Sequence, residues 1–365
     1  MSESGRIAIM TSPGSLAFAE YPAPEAGPGC ILARVSRTNV CGSEIHIWCG
    51  HHPTKRSGGL GHEMVGMVEK LGEGVTCDSA GAPLSVGDRI VATYFIACRR
   101  CNPCQHGQFN LCTNAYQFWG RPPEQEPHFH TTFGTFHYIH PDQYVYRVPD
   151  NVSDRAASSA NCALSQVYFG VDEAQLPSGE NVVIQGAGGL GLNAAAVARA
   201  RGARVIVIDA VSARLDQARR FGAHETILMA DYPDQADRIA RVKELTGGHG
   251  ADLVIEVAGV PAAFNEALLL ARAGGRVVGM GNISPGQTVA IDPGLLTRTG
   301  VRILPIMRYQ PWYLKKALDF LSDYKDTYPF DELVDAEFTL DQIEEALARS
   351  VDRTVTRASI LIGEG

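Results

Sequence analysis

Residues 181–191 have the sequence NVVIQGAGGLG, a short apolar run followed at once by glycines. The apolar run predicts a buried β-strand that ends at Gln185. The glycines match the G-x-G-x-x-G pattern, in which Gly186 permits a tight turn, Gly188 lets the backbone approach a pyrophosphate and Gly191 allows close helix–strand packing. A helix that follows would offer its free N–H groups to phosphates. The stretch therefore predicts a dinucleotide site, with a purely structural turn as the alternative.

A second predicted strand, residues 205–208, leads into Asp209. The acid stands about 20 residues beyond the glycines, where the dinucleotide fingerprint expects one. A carboxylate there can accept hydrogen bonds from a free adenosine ribose and repels a 2′-phosphate. The sequence therefore predicts NAD as the cofactor in preference to NADP. The alternative is a solvated acid at the end of a strand.

Strand-like and helix-like stretches alternate from about Leu164 to Met307, whereas residues 6–149 contain short apolar runs broken by Gly and Pro. Buried strands that alternate with helices indicate a parallel sheet covered on both faces. We therefore predict an α/β protein. Its β-rich domain would comprise residues 1–163 and 309–365, and its doubly wound parallel-sheet domain residues 164–308.

The overall composition argues against two classes of partner. The 365 residues include 32 basic and 40 acidic side chains and carry a formal net charge of -8. Nucleic-acid binding usually needs the opposite balance, and no apolar stretch approaches the ~20 residues of a membrane-spanning helix. We expect no nucleic-acid or membrane partner and a cytoplasmic location. Nine cysteines would remain thiols there, and metal binding is the first explanation for their clustering.

Four cysteines form the pattern C-x2-C-x2-C-x7-C: Cys98, Cys101, Cys104 and Cys112. Four thiolates this close together suit a closed tetrahedral zinc site, which has no open position and is therefore structural. An iron–sulfur cluster is the alternative. Its common bacterial spacing has Pro after the last Cys, whereas Thr113 follows here.

Three further candidate ligands are dispersed along the chain: Cys41, His62 and Cys162. Two thiolates and one imidazole can hold a catalytic zinc with a fourth position open for water or alcohol. Sequence spacing alone does not join the three, because a lone buried Cys or His is more often a core residue than a ligand.

These segments, in this order, resemble the zinc-dependent medium-chain alcohol dehydrogenases of the medium-chain dehydrogenase/reductase superfamily. The resemblance covers the Cys-x-Ser segment at 41–43, the Gly-His-Glu segment at 61–63, the four-cysteine lobe and the glycine turn. It implies a GroES-like catalytic domain joined to a Rossmann coenzyme domain, with NAD and two zinc ions per chain. It also implies a homodimer or homotetramer.

The resemblance assigns the catalytic zinc to Cys41, His62 and Cys162. Glu63 becomes the neighbouring carboxylate that can approach the metal. Glu44 stands where the family usually has Asp, which orients the zinc histidine through a hydrogen bond. The longer side chain leaves open whether this bond forms.

A proton relay is implied by the same resemblance. Ser43 corresponds to the hydroxyl that hydrogen-bonds the substrate oxygen, and His46 to the terminal base, which suits a group that titrates near neutral pH. The alternatives are a helix N-cap for Ser43 and a surface imidazole for His46. His51 is a nearby rival for the role of base.

Further contacts also follow from the resemblance. Gly42 stands where some members of the family have a basic residue that contacts the pyrophosphate. Arg357 is a candidate to provide that positive charge instead. Independently of the resemblance, the length and lack of pattern of segment 114–130 make it a candidate lid or else a surface excursion; it contains Phe118, Trp119, His128, Phe129 and His130. The remaining cofactor contacts are assigned to Gly189, Leu190, Arg214, Val257, Val278 and Met280, and the substrate pocket to Trp48, Tyr94 and Trp119.

Together these features predict an enzyme that transfers a hydride between an alcohol and NAD. Aromatic side chains in the pocket favour an apolar or cyclic secondary alcohol. A polyol or amino-alcohol dehydrogenase is the alternative, because residues 41–48 resemble those enzymes. A zinc-free quinone or enoyl reductase would not need the three dispersed ligands. The alternative of another class is a non-enzymatic nucleotide-binding protein that retains the fold.

Overall fold

The structure, a computed structural model, describes residues 3–52, 55–282 and 285–363. The chain forms two compact units: unit 1 is Met1–Ser165, Gln310–Lys325 and Phe330–Gly365, and unit 2 is Gln166–Tyr309 and Asp326–Pro329. No helix within the described residues is long and apolar enough to span a membrane.

Unit 1 is built mainly from antiparallel strands. They form a three-stranded sheet in the order β2-β1-β4 and a seven-stranded sheet in the order β15-β16-β3-β5-β6-β8, in which β7 also pairs with β3. Numbered along the whole chain, these strands are β1 (Ser4–Ser12), β2 (Ser15–Pro22), β3 (Ile31–Asn39), β4 (Gly58–Gly59), β5 (Val65–Leu71), β6 (Arg89–Ala92), β7 (Phe136–Ile139), β8 (Val145–Arg147), β15 (Ala336–Thr339) and β16 (Ala358–Leu361).

The helices of unit 1 are short, apart from two near the C-terminus. They are α1 (Gly42–Trp48), α2 (Asn102–Gln105), α3 (Asp154–Ala157), α10 (Tyr313–Tyr324) and α11 (Ile343–Val351). Three 3₁₀ turns occupy Phe109–Leu111, Phe330–Leu333 and Leu340–Gln342, and Ala160–Leu164 is a π-helical turn. Single π-helical turns are rare and often occur at functional sites.

Unit 2 contains one six-stranded parallel sheet in the order β11-β10-β9-β12-β13-β14. The central strands β9, β10 and β12 are buried and rich in Val and Ile, as expected when helices cover both faces. The outer strands β11 and β14 are mostly only partly buried. The strands are β9 (Asn181–Gln185), β10 (Arg204–Asp209), β11 (Glu225–Leu228), β12 (Ala251–Glu256), β13 (Ala271–Gly279) and β14 (Arg302–Pro305). The helices are α4 (Ser165–Glu173), α5 (Gly189–Ala200), α6 (Ser212–Arg220), α7 (Gln235–Leu245), α8 (Pro261–Leu270) and α9 (Pro293–Thr299).

This strand order is the doubly wound arrangement in which the order reverses beside the first strand, β9. The predicted fold class is confirmed. The glycine turn lies between β9 and α5, where Gly186 has a φ of +103°. A Cβ atom on Gly191 would lie 1.8 Å from the carbonyl oxygen of Gly186. Any side chain at Gly191 would therefore push the helix away from the turn.

The segment 114–130 lacks helices and strands, but its end belongs to the core of unit 1. Phe129 is fully buried and packs against Phe136, with ring centroids 5.3 Å apart. His130 is 3% exposed. Phe129 is therefore a core residue and not part of a surface lid, and the lid stays a prediction for the rest of the segment.

Candidate active site

The three dispersed ligands meet in unit 1 together with Glu63. The candidate ligand atoms of Cys41, His62, Glu63 and Cys162 all lie within 4.8 Å of one another. His62 and Cys162 are 7% exposed and Glu63 is fully buried, whereas Cys41 is partly exposed. We call these four residues the catalytic set. Cys41 is thus the most exposed member of the set.

Local backbone structure places each member of the catalytic set. Cys41 is the N-cap of α1, and Cys162 lies in the π-helical turn. Gly61, which precedes His62, has a φ of +89°, and a Cβ there would lie 2.5 Å from the Phe133 ring. Glycine is therefore needed directly before the ligand pair His62–Glu63.

The distances within the catalytic set fit a zinc ion. A tetrahedral zinc with ordinary Zn–S bonds separates two sulfur ligands by about 3.8 Å. The Sγ atoms of Cys41 and Cys162 are 3.8 Å apart, and His62 Nε2 is 3.3 Å from the Sγ of Cys162. The contact between the two sulfurs lowers the pKa of the Cys41 thiol and raises that of Cys162, as expected when two close sulfurs share one proton.

Glu44 orients the candidate zinc histidine. Its Oε1 contacts Nδ1 of His62, and its Oε2 accepts a hydrogen bond of 3.0 Å from the backbone N–H of Cys41. The structure thus answers the question left open by the longer side chain, since Glu44 reaches the imidazole where the family has Asp. Holding Nδ1 leaves Nε2 as the nitrogen that faces the sulfurs.

Glu63 is fixed by partners on both carboxylate oxygens. Its Oε1 accepts a hydrogen bond of 2.9 Å from Arg357 Nη2, and its Oε2 accepts one of 3.0 Å from Asn39 Nδ2. Burial raises the pKa of Glu63 to about 7, and the Arg357 charge acts in the opposite direction. Arg357 is itself 5% exposed. Its charge is balanced within unit 1, which does not favour it as a free cation for a pyrophosphate.

The four-cysteine lobe forms a second compact set of sulfur atoms. The sulfurs of Cys98, Cys101, Cys104 and Cys112 lie within 4.8 Å of one another, and those of Cys101 and Cys112 are 3.9 Å apart. Cys98 Sγ accepts hydrogen bonds from the backbone N–H of Cys101 and from Asn114 Nδ2. Such donors stabilise thiolates. The geometry fits a closed tetrahedral zinc site.

Ser43 and His46 lie three residues apart on α1, so that they share one face of the helix. The N-cap of α1 is Cys41, and the alternative that Ser43 caps the helix is therefore wrong. His46 is half-buried, with its ring centroid 6.2 Å from that of His51. Burial, followed by the charge of His51, lowers the pKa of His46. A lower pKa keeps the imidazole neutral and able to accept a proton.

Aromatic rings extend from the catalytic set along unit 1. The Tyr94 ring meets the His62 ring at 4.8 Å, and Tyr116 lies nearly parallel to Tyr94 at 6.4 Å. Trp119 follows at 5.8 Å from Tyr116 and donates a hydrogen bond of 3.0 Å to the carbonyl of Gly61. We call Tyr94, Tyr116 and Trp119 the aromatic row. Tyr116 was not among the residues predicted from the sequence. Trp48 and Trp119 are both partly exposed and both pack against the main core of unit 1, and the assignment of Trp48 to the pocket stays a prediction.

The predicted cofactor residues occur in unit 2. Asp209 ends β10, and its carboxylate accepts hydrogen bonds of 2.6 Å from Ala187 N–H and 2.8 Å from Val211 N–H. It therefore braces the glycine turn. Val278 and Met280 are buried as whole residues, with 0% and 3% exposure, which does not favour them as contacts for a cofactor. Leu190, Arg214 and Val257 are partly exposed, and Gly188 and Gly189 begin α5.

Two family models match the chain: "Alcohol dehydrogenase GroES-like domain" over residues 27–150 and "Zinc-binding dehydrogenase" over residues 189–323. A 5-exo-hydroxycamphor dehydrogenase of Pseudomonas putida is 35% identical over 352 residues, which are 94% of each chain. The chain belongs to the zinc-type medium-chain alcohol dehydrogenases.

Other members of this family support the same assignment. A probable D-xylulose reductase A of Aspergillus fumigatus is 35% identical over 274 residues, or 72% of each chain. The crystal structure of an alcohol dehydrogenase from Thermotoga maritima has a TM-score of 0.91 at 26% identity and covers 99% of this chain and 100% of its own. Membership confirms an oxidoreductase acting on CH–OH groups with zinc and a nicotinamide cofactor.

Proposed function

We propose that this alcohol dehydrogenase interconverts a bulky or cyclic secondary alcohol and its ketone, with NAD as hydride acceptor. The observation that carries the proposal is the catalytic set, in which Cys41, His62 and Cys162 would provide three zinc ligands. Both oxygens of Glu63, the fourth donor within reach, are hydrogen-bonded to Arg357 and Asn39, which would leave the fourth position to the alcohol. The aromatic row beside it favours an apolar substrate body. The camphor-derived substrate named for the Pseudomonas putida relative is cyclic, which supports the same choice.

The roles of the residues follow from this arrangement. Zinc held by Cys41, His62 and Cys162 would act as a Lewis acid that lowers the pKa of an alcohol hydroxyl. Ser43 hydrogen-bonds the substrate oxygen and passes on its proton. His46 accepts that proton and delivers it to solvent. The alcohol carbon loses a hydride to NAD, so the products are ketone, NADH and one proton.

In this proposal the two parts of the chain divide the work. Residues 1–163 and 309–365 form the catalytic zinc-binding domain, in which Cys98, Cys101, Cys104 and Cys112 hold a second, structural zinc. Residues 164–308 form the NAD-binding domain, in which the glycine turn faces the pyrophosphate and Asp209 the adenosine ribose. Arg214 contacts the same ribose, and Leu190 and Val257 lie along the nicotinamide.

The experiment that tests the function is NADH formation by the zinc-loaded chain with a panel of alcohols. We expect oxidation of cyclic secondary alcohols, with NAD strongly preferred over NADP. Linear polyols such as sorbitol and xylitol belong in the panel, because a polyol dehydrogenase is the second candidate. The xylulose reductase relative supports that candidate. A higher kcat/KM for polyols would select it, and no turnover of any alcohol would favour a non-enzymatic role.

The cofactor preference can be tested at Asp209. The Asp209→Gly variant removes the carboxylate that would repel a 2′-phosphate, and we expect the ratio of kcat/KM for NAD to that for NADP to fall. Because Asp209 also accepts a hydrogen bond from Ala187, activity with NAD should fall as well. The Asp209→Asn variant keeps an oxygen acceptor for Ala187 and is the matched control. An equal kcat/KM for the two cofactors in the unaltered enzyme would contradict the prediction.

The proton relay can be tested at His46. Alcohol oxidation should rise with pH, because the base must be neutral to accept a proton. Since the pKa of His46 lies below its ordinary value, the neutral form persists to lower pH than for a solvated histidine. The His46→Gln variant should slow oxidation near neutral pH by about 10-fold without loss of zinc. Ser43→Ala should be more damaging, because it removes the group that touches the reacting oxygen.

The pH–rate profile of His46→Gln is the decisive measurement. We expect its acid limb to flatten, and added imidazole to restore part of the rate. A profile identical to that of the unaltered enzyme would show that the proton leaves by another route, with His51 as the next base to replace.

We further propose that the enzyme is a cytoplasmic homodimer or homotetramer. All nine cysteines are free thiols in the structure, which suits a reducing compartment. Strand β14 is the last strand of its sheet, and such an edge can pair with a second copy. The mass in solution tests the oligomeric state.

A further inference from the structure

A lysine ammonium lies at the far end of the aromatic row. Nζ of Lys55 is 3.4 Å from the centroid of the Trp119 ring, a distance typical of a cation–π contact. The same tryptophan is bonded through its indole N–H to Gly61, directly before His62. The Trp119 side chain therefore contacts both Lys55 and the backbone of Gly61, which adjoins the catalytic set.

Within the described residues, Lys55 forms no ion pair with a carboxylate. Glu44, the acid whose charge acts on it, is fully buried and occupied by His62 and the Cys41 N–H. A lysine is seldom buried unless it is paired. Burial lowers the pKa of Lys55 to about 8, and Glu44 opposes this. The half-buried ammonium is thus partly desolvated, and no carboxylate among the described residues forms an ion pair with it.

The surrounding sequence adds positive charge and removes negative charge. Residues 45–62 contain no Asp or Glu, although acids outnumber bases in the chain as a whole. The same stretch includes the cation Arg56, whereas His46 and His52, whose pKa values are lowered by burial, add little charge near neutral pH. A small region of positive potential in an acidic protein attracts an anion.

We propose that Lys55 binds a carboxylate of the substrate, so that the physiological alcohol is a hydroxy acid with an apolar body between its hydroxyl and its carboxylate. The hydroxyl lies at the catalytic set, the apolar body along the aromatic row and the carboxylate at Lys55. The inference rests on the proposed function and deepens it by naming the substrate class. A charge-assisted hydrogen bond here would also give the half-buried ammonium an anionic partner.

The test compares a hydroxycyclohexanecarboxylate with its methyl ester, which has the same ring but no charge. The unaltered zinc enzyme should show a higher kcat/KM for the acid than for the ester. The Lys55→Met variant keeps an unbranched side chain that can lie on Trp119. It should reduce the acid-to-ester ratio by at least about 10-fold, the factor expected for a hydrogen bond to a charged group. Lys55→Arg should retain most of the preference.

Two further measurements separate a binding role from a structural one. The acid-to-ester ratio should fall as the pH rises through the pKa of Lys55, because the ammonium is lost. The Lys70→Met variant, which removes a lysine paired with Glu25 elsewhere in unit 1, should leave the ratio unchanged. An increase in KM for NAD rather than for the acid in Lys55→Met would show that the charge serves the cofactor, and would overturn the inference.

Binding can be measured without turnover. Calorimetric titration with oxocyclohexanecarboxylate, the corresponding keto acid, should show weaker binding to Lys55→Met than to the unaltered enzyme. Equal affinities would overturn the inference even if no alcohol were oxidised. Turnover of neutral alcohols with no preference for the acid would overturn it while leaving the proposed function intact.

Discussion

Replacing Cys162 by serine is expected to lower alcohol oxidation by about 1000-fold or more. A serine hydroxyl is a far weaker zinc ligand than a thiolate, and loss of the Lewis acid removes several kcal/mol of stabilisation from the transition state. The fold should persist, because serine is close to cysteine in size and the π-helical turn is held by buried neighbours such as Ala160 and Leu164. Kinetics, zinc content and thermal unfolding of the same preparation provide the measurement.

The variant should lose the catalytic zinc and keep only the zinc of the four-cysteine lobe, since the two sets of ligands share no residue. The matched control is Cys77→Ser, at an exposed cysteine outside both sets. Retained turnover in Cys162→Ser would remove Cys162 from the catalytic set.

Replacing Cys104 by serine should have the converse effect, a large loss of stability. Cys104 is 5% exposed and belongs to a closed set of four sulfurs. Structural zinc contributes folding free energy directly, because the ligands come together only in the folded state. We expect the midpoint of thermal unfolding to fall by about 10 °C or more, as a loss of several kcal/mol would produce.

The activity that remains at low temperature distinguishes the two sites. Cys104→Ser should retain turnover per catalytic zinc below its unfolding transition, since no atom of the lobe belongs to the catalytic set. A variant with unchanged thermal stability and no activity would reverse the assignment of the two sites. A chelator titration followed by unfolding would show the same order, with activity lost before stability if the open site releases zinc first.

The parts of this protein that sequence could predict are those specified by local patterns. The glycine turn has a backbone requirement at Gly186 and a packing requirement at Gly191, and each is visible as a residue type at a fixed spacing. The four-cysteine lobe lies within 15 residues, from Cys98 to Cys112, so that its spacing alone suggests a metal. Both follow from the chemistry of neighbouring residues.

The catalytic set could not be derived in that way. Cys41 and Cys162 are separated by 121 positions, and only the family resemblance joined them. The partner of Glu63 comes from even farther away, since Arg357 is 294 positions distant. Periodicity and spacing contain no information on such pairs. Phe129 was misplaced for a related reason: an aromatic residue in an unpatterned segment can face a pocket or the core, and only the packed structure decides which.

The position of β16 has a consequence for how the protein is made. This strand lies between β15 and β3, and Arg357, the partner of buried Glu63, directly precedes it. On the ribosome, residues 166–309 emerge before Arg357 and β16. Domains generally fold as units during synthesis. Unit 2 can therefore finish folding while the N-terminal part of unit 1 still lacks β16. The N-terminal residues of unit 1 are therefore completed after unit 2 has been synthesised, and Glu63 gains its counter-charge only once Arg357 has emerged.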